Sequence, residues 1–333
     1  MPKHAHAYLS SILNVCLILI GTTSAAHNSI NTAQTQKTDQ EIRQLYHSLH
    51  MHQITNMAAR LNTISKQWLQ RPYTLTALGE GIPSDYDEAP RYRTDAFDCE
   101  TYVDTVLALA LATDLVSFKQ CIDQIRYAEG HVSYVTRNHF TSLDWNPNNQ
   151  HQGFIKDITE TIVNSKNKPI ALQAQALINK TAWYAHASLQ QIRLPRASLN
   201  EQTQQLSKLQ RAGRQFNTQI ATIPYLPLTH LFDSKGQAVL SIFKQIPQGA
   251  IIEIIRPNWD LTASIGTHIN VSHLGFAFWN KGVLFFRQAS SLHHQVIDTP
   301  LIEYLHDMQK IPTIKGINIQ VVLPKIPLTN GCA

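Results

Sequence analysis

From Cys99 to Ala112 the sequence reads CETYVDTVLALALA, the clearest helix in the chain and the element around which the fold must be arranged. Asp98 stands at its N-cap, where a carboxylate can accept from the open N–H groups of the first turn. Helical spacing puts Cys99 on one face with Val103, Val106, Leu107 and Ala110, so its sulfur points at whatever the helix packs against. The positive end of the helix dipole favours a thiolate there. The Asp98 charge opposes it, so a cationic histidine would be needed to tip the balance.

The rest of the chain changes character along its length. Residues 27–38 form a polar spacer. Ile42, Leu45, Leu49, Ile54, Met57, Leu61, Ile64 and Trp68 then recur at helical spacing, as one long helix or two shorter ones, up to Pro72. Residues 71–98, with Gly79, Gly81, Pro83 and Pro90, read as a surface loop, and Val116–Glu129 as a further helix. Asn138–Gln152 is polar and turn-rich, and residues 155–226 mix helical patches with proline-marked loops. From Val239 onward a short helix (Val239–Lys244) precedes strands at Ala250–Arg256, Thr267–Trp279, Val283–Gln288 and Gly316–Leu323, with a helix at Pro300–Met308. Helices first and strands late predict an α+β domain on a largely antiparallel sheet.

Lys3, the apolar run Tyr8–Ile20 and the small residues up to Ala26 have the layout of a secretory signal peptide cleaved near Ala25 or Ala26. An apolar run of about 13 residues is too short to span a bilayer, which needs roughly 20. The expected division is 1–26 signal peptide, 27–70 helical segment and 71–333 catalytic domain, in a periplasmic or secreted protein without stable membrane insertion. Loss of Cys16 leaves Cys99, Cys121 and Cys332, an odd number in an oxidising compartment, so one thiol stays unpaired; Cys121–Cys332 is a possible disulfide. The formal charge of +5 comes from scattered basic residues, which argues against nucleic acid as a partner.

Among 16 histidines, His273 is singled out by its strand. Alternation places Ile269, Val271, His273, Gly275 and Ala277 on one face, and a polar ring on an apolar face needs a partner. Gly275 leaves room for a substrate or a helix to come close. A two- or four-residue connection after Trp279 brings Gln288 across from His273, and a three-residue one brings Ala289. A glutamine carbonyl can hold one imidazole nitrogen and leave the other for sulfur, the arrangement of nucleophile, base and orienting group in cysteine hydrolases.

Phe97-Asp98-Cys99-Glu100-Thr101-Tyr102-Val103, Ser272-His273-Leu274-Gly275-Phe276 and Arg287-Gln288-Ala289-Ser290 occur in that order. With Arg71-Pro72-Tyr73 upstream and Arg137-Asn138-His139 through Asp144-Trp145, the chain resembles the N-acetylmuramoyl-L-alanine amidase-like family of the NlpC-type, papain-like cysteine peptidase superfamily. The resemblance covers roughly residues 70–323. It implies a papain-like α+β fold with Cys99 as nucleophile, His273 as base and Gln288, where relatives often carry His, as the orienting residue. Tyr73 and the Cys99 N–H would serve the oxyanion. Arg137, His139 and Trp145 are candidates for sugar or carboxylate contacts, through guanidinium forks and ring stacking.

The implied substrate is peptidoglycan or its muropeptide fragments, cut between N-acetylmuramic acid and L-alanine, with no cofactor and no metal. Three rivals remain at this stage: a stem-peptide endopeptidase using the same residues, a zinc amidase, and a non-catalytic wall-binding protein. The zinc reading lacks an HExxH pattern, and the adjacent His293 and His294 cannot both face one ion from a strand.

Overall fold

The structure, a computed structural model, describes residues 24–332 of the 333. Four helices open the described chain: α1 (Ser24–Met51), α2 (Met57–Gln67), α3 (Cys99–Leu111) and α4 (Leu115–Arg126). The strands follow: β1 (Ile155–Asp157), β2 (Leu172–Asn179), β3 (Thr218–Pro227), β4 (Ala250–Leu261), β5 (Thr267–Asn280), β6 (Val283–Ser290), β7 (Gln295–Pro300) and β8 (Gly316–Val322). They form one sheet in the order β2-β3-β8-β4-β5-β6-β7, with β1 on β8, and each of these pairs is antiparallel. The fold is therefore α+β with an antiparallel sheet, as the order of patterns in the sequence predicts.

β5 shows how the layers are held. Leu274, Phe276 and Phe278 point into the helical layer and share a core with Val103, Val106, Leu107 and Ala110 of α3. Ala277 faces the other way, into a second core of Ile252, Ile254, Phe286, Ile317 and Ile319. Each large side chain so buried contributes about 1.5–3 kcal/mol, so the two faces of this strand fix α3 against the sheet. Every residue from Thr101 to Leu111 is buried.

The two N-terminal helices belong to the same core. Arg60 of α2 is 2% exposed. Its Nε donates to Ala110 O at 2.9 Å and its guanidinium to Ala112 O at 2.6 Å, which satisfies carbonyls that the end of α3 leaves open. Arg287 of β6 reaches back to Asn62 O at 3.1 Å and Ser65 Oγ at 2.9 Å. Cys121 of α4 and Cys332 form a disulfide that ties the chain's end to the helical layer, with Cα atoms 4.8 Å apart, and Cys99 is a free cysteine.

Several local expectations differ from the structure. The polar spacer at 27–38 is part of α1. Residues 71–98 lack regular structure but are not a surface loop: Ala77, Leu78, Tyr92 and Phe97 are buried, as are Glu80, Asp87 and Glu88. Asn138–Gln152 contains a π-helical turn (Thr141–Trp145) and a short helix (Asn146–His151). The middle of the chain holds the β2–β3 ribbon, two strands paired across a long excursion. The apolar run Tyr8–Ile20 of the expected signal peptide lies outside the described residues. Among the described residues, no helix is long and apolar enough to cross a membrane.

Candidate active site

Cys99 is the first residue of α3, and the cap before it is double. Asp98 Oδ1 accepts from Thr101 N at 2.8 Å, and Thr101 Oγ1 accepts from Asp98 N at 3.0 Å. The other Asp98 oxygen accepts from Ala77 N at 3.3 Å. The approach to the cap is fixed by Phe97, whose ring meets Trp68 at 5.7 Å and Tyr102 at 5.4 Å. Phe97 N donates to Pro72 O at 3.0 Å and Thr74 N to Phe97 O at 2.9 Å, which runs Tyr73 alongside the entrance to α3.

His273 arrives on β5, whose connection to β6 is the two-residue turn Lys281-Gly282. Both residues have positive φ, 48° and 83°, as a tight hairpin turn of matching twist requires. Counting back from the pair Phe276–Arg287, the residue across from Gln288 is Gly275, and His273 reaches Gln288 on the diagonal. A Cβ on Gly275 would stand 2.6 Å from Arg287 O and 3.1 Å from Gln288 Cβ. The glycine thus makes room for the neighbouring strand, rather than for a helix or substrate. On the β4 side the register slips between Ile254–His273 and Ile255–Val271, a bulge at Ser272. Because of it Ile269, Asn270, Val271, Ser272, His273 and Leu274 all line one cavity, which strict strand alternation does not allow.

Cys99 lines that same cavity, of about 210 Å³, together with Glu100, His139, Phe140 and Trp183. His273 Nε2 is hydrogen-bonded to Gln288 Oε1. A carboxamide oxygen only accepts, so Nε2 carries the proton and Nδ1 is left with its lone pair. Phe286 stands edge-on to the ring at 5.7 Å. Among the described residues no hydrogen bond joins the ring to the sulfur, although both line the one cavity.

Burial decides the resting charge of both. It lowers the His273 pKa to about 4, against a smaller opposite effect of the Gln288 hydrogen bond. Burial also pushes the Cys99 thiol well above its ordinary value, and the charges of Asp98 and Glu100 push the same way; N–H groups of Leu274 and Glu100 oppose them weakly. The helix start therefore does not yield a standing thiolate. Both shifts favour the neutral pair, a thiol and an imidazole whose Nδ1 keeps its lone pair.

The remaining candidates divide by position. Tyr73 is half-buried; its phenol is held neutral by burial first and then by the nearby Cys99 and Asp98. His139 lines the cavity, with Nε2 donating to Tyr134 O at 2.7 Å and its ring 4.5 Å from that of Trp183. Burial and the Arg137 charge keep it neutral. Arg137 is away from the cavity lining, ion-paired with Glu80 and Asp87 and lying over the Tyr134 ring. Trp145 is 1% exposed, with Nε1 donating to Asp104 Oδ1 at 2.7 Å, so its ring has no free face for a sugar. Both tie residues 137–145 to the rest of the fold instead of facing the cavity.

Neither Trp183 nor Glu100 is a site residue in the sequence reading, and both line the cavity. Trp183 follows β2, and only the unrecognised β2–β3 pairing carries it to the cleft. Glu100 was legible as the neighbour of Cys99. Burial first, then the charges of Asp104 and Asp98, push its carboxyl well above the usual carboxylate range, with Arg126 and Arg137 opposing.

The model of the family described as AmiA-like, N-acetylmuramoyl-L-alanine amidase-like, matches residues 63–314. The chain belongs to this family. That membership gives it an amidase-like role on peptidoglycan. Among solved structures, a Legionella pneumophila str. Philadelphia 1 protein is similar over 90% of this chain and 98% of its own, at 51% identity and a TM-score of 0.87. An N-acetylmuramoyl-L-alanine amidase from Bacteroides uniformis ATCC 8492 is similar over 80% of this chain and 99% of its own, at 21% identity and a TM-score of 0.55. A structure described as a putative xylanase from Bacteroides fragilis aligns at 22% identity, over 78% of this chain and 99% of its own, with a TM-score of 0.52. At that distance only the fold is shared. No curated protein matches the chain.

Proposed function

We propose that the protein is a cysteine amidase of the papain-like, NlpC-type superfamily that cuts the amide between the lactyl group of N-acetylmuramic acid and L-alanine. The observation that carries this reading is the placement of Cys99 and His273 in one cavity, with the far nitrogen of the ring held by Gln288. In the reaction, His273 Nδ1 takes the thiol proton as Sγ attacks the carbonyl carbon, because the charged pair does not stand ready. The oxyanion is received by the Cys99 N–H, one of the first-turn groups without an intrahelical acceptor, and by the Tyr73 hydroxyl. His273 then returns the proton to the leaving amine, and a thioester remains on Cys99. Water that gives its proton to His273 hydrolyses this thioester and regenerates the thiol.

Trp183 is the stacking surface for the sugar, since it is part-exposed and lines the cleft where Trp145 does not. The protein is exported, as the first 26 residues and the disulfide both favour. The test is incubation with N-acetylmuramoyl-L-alanyl-D-isoglutamine followed by mass spectrometry of the fragments. Free N-acetylmuramic acid and the dipeptide are expected from the native protein and neither from Cys99→Ala. Release of L-alanine attached to the sugar would point to a stem-peptide endopeptidase.

A further inference from the structure

Arg256, on β4, is half-buried and makes no hydrogen bond or ion pair among the described residues. Every other buried or half-buried arginine among them donates to a carbonyl or a carboxylate. The Arg256 Nε is closed off from solvent without an acceptor, whereas the two terminal nitrogens are not closed off. Burial lowers its pKa, and the ionisable group near enough to oppose this is the Tyr304 phenol, not a carboxylate. An unpaired charge so placed is held at a cost. The guanidinium is nonetheless fixed, because it lies 3.8 Å over the ring of Trp259. A planar cation stacked on an aromatic ring keeps its donor fork free for a carboxylate.

A second, independent observation links this cation to the active site. Tyr304, in the helix Leu301–Met308, has a hydroxyl that makes no hydrogen bond among the described residues and is not closed off from solvent. The ionisable groups near that phenol are Cys99 and Arg256. Its ring packs on Phe286 at 5.1 Å, and Phe286 stands 5.7 Å from His273. Ile254, two residues before Arg256 on β4, is the register partner of His273. The guanidinium and the phenol are therefore reached from Cys99 by way of His273. In the proposed reaction His273 protonates the leaving amine, so the peptide half lies on this side. Within the stem, L-alanine carries no free charge. The first anion beyond it is the α-carboxylate of the γ-linked D-glutamate, one residue or roughly 4 Å further on.

We propose that Arg256, held by Trp259 and joined by the Tyr304 hydroxyl, binds this carboxylate, so that stems with a free α-carboxylate on D-glutamate are preferred over amidated ones. The proposal rests on the amidase reading, because that reading puts the peptide half beside His273. The experiment measures binding by calorimetry to the Cys99→Ala protein, which needs no bond cleavage. The probes are N-acetylmuramoyl-L-alanyl-γ-D-glutamyl-L-lysine and the same compound with the glutamyl α-carboxylate converted to the carboxamide. The free acid is expected to bind more than about tenfold tighter, and Arg256→Gln to bring the ratio within threefold. Arg256→Lys, which keeps the charge without the fork, should retain part of the ratio, and Tyr304→Phe should lower it in part. A merely structural effect of Arg256→Gln would weaken both probes and keep their ratio. That result overturns the proposal, as does equal affinity for the two probes when Arg256 is present. If the acid preference holds but the native protein leaves the muramoyl amide uncut, the amidase reading fails alone. If the amide is cut without any such preference, this proposal fails alone.

Discussion

The substitution Gln288→Glu tests how burial sets the charge of His273. Gln288 is 3% exposed and hydrogen-bonded to Nε2, so a glutamate there places a carboxylate in contact with the ring. Opposite unit charges at about 4 Å attract by roughly 4 kcal/mol at an effective dielectric of about 20. Since about 1.4 kcal/mol moves a pKa by one unit, and burying the new carboxylate takes back part of the gain, the imidazole pKa should rise by about 2. Starting from about 4, it reaches about 6. Only the neutral ring can accept the thiol proton, so activity is lost as pH falls through this pKa. The acid limb of kcat/KM for a muramoyl dipeptide should therefore lie near 4 in the native protein and near 6 in the variant. The same quantity fixes a stability trend. Between the ordinary value of 6.5 and about 4 the unfolded chain binds a proton that the folded chain refuses, so stability drops as pH falls through that window. A native acid limb already at 6–7, or one that the substitution leaves in place, would refute the reasoning.

Three further outcomes follow from the packing. Gly275→Ala forces a Cβ against Arg287 O and Gln288 Cβ, and should cost about 1–3 kcal/mol in urea unfolding, with a loss of activity beyond that because Gln288 is displaced. Trp183→Ala should raise KM for muramoyl substrates with little change in kcat, measured by steady-state kinetics; an unchanged KM would remove the stacking role. Reducing Cys121–Cys332 should lower stability by about 2–4 kcal/mol, read as a drop in Tm, whereas without reductant iodoacetamide should label Cys99 alone.

What could be read from the sequence follows from how local each signal is. The helix at Cys99 and its Asp98 cap are written in consecutive residues, as is the β5–β6 hairpin, whose loop length the sequence left open, and these carry the proposed nucleophile, base and orienting residue. β2 and β3 were hidden because their pairing spans a long excursion and the ribbon's inward side chains include the small Ala174 and Ala176. Trp183 was missed with them. The burial of residues 71–98 was hidden because glycines and prolines mark irregular backbone without saying whether it is covered; the Arg137, Arg193 and Arg196 pairs that cover it lie far along the chain. The same distance misled the reading of Arg137 and Trp145, whose polar groups are satisfied by Glu80, Asp87 and Asp104 inside the fold. The opposition of Asp98 to a thiolate at the helix start was legible in the sequence; the larger effect of burial was not, because residue spacing does not report it.

The central claim is that the Cys99 sulfur takes the acyl half of the substrate. Intact-mass spectrometry of the protein, acid-quenched during turnover of N-acetylmuramoyl-L-alanyl-D-isoglutamine, tests it directly. A muramoyl thioester mapped to Cys99, absent from His273→Ala, is the predicted result. Undiminished hydrolysis by Cys99→Ala, with no adduct on the native protein, would contradict it.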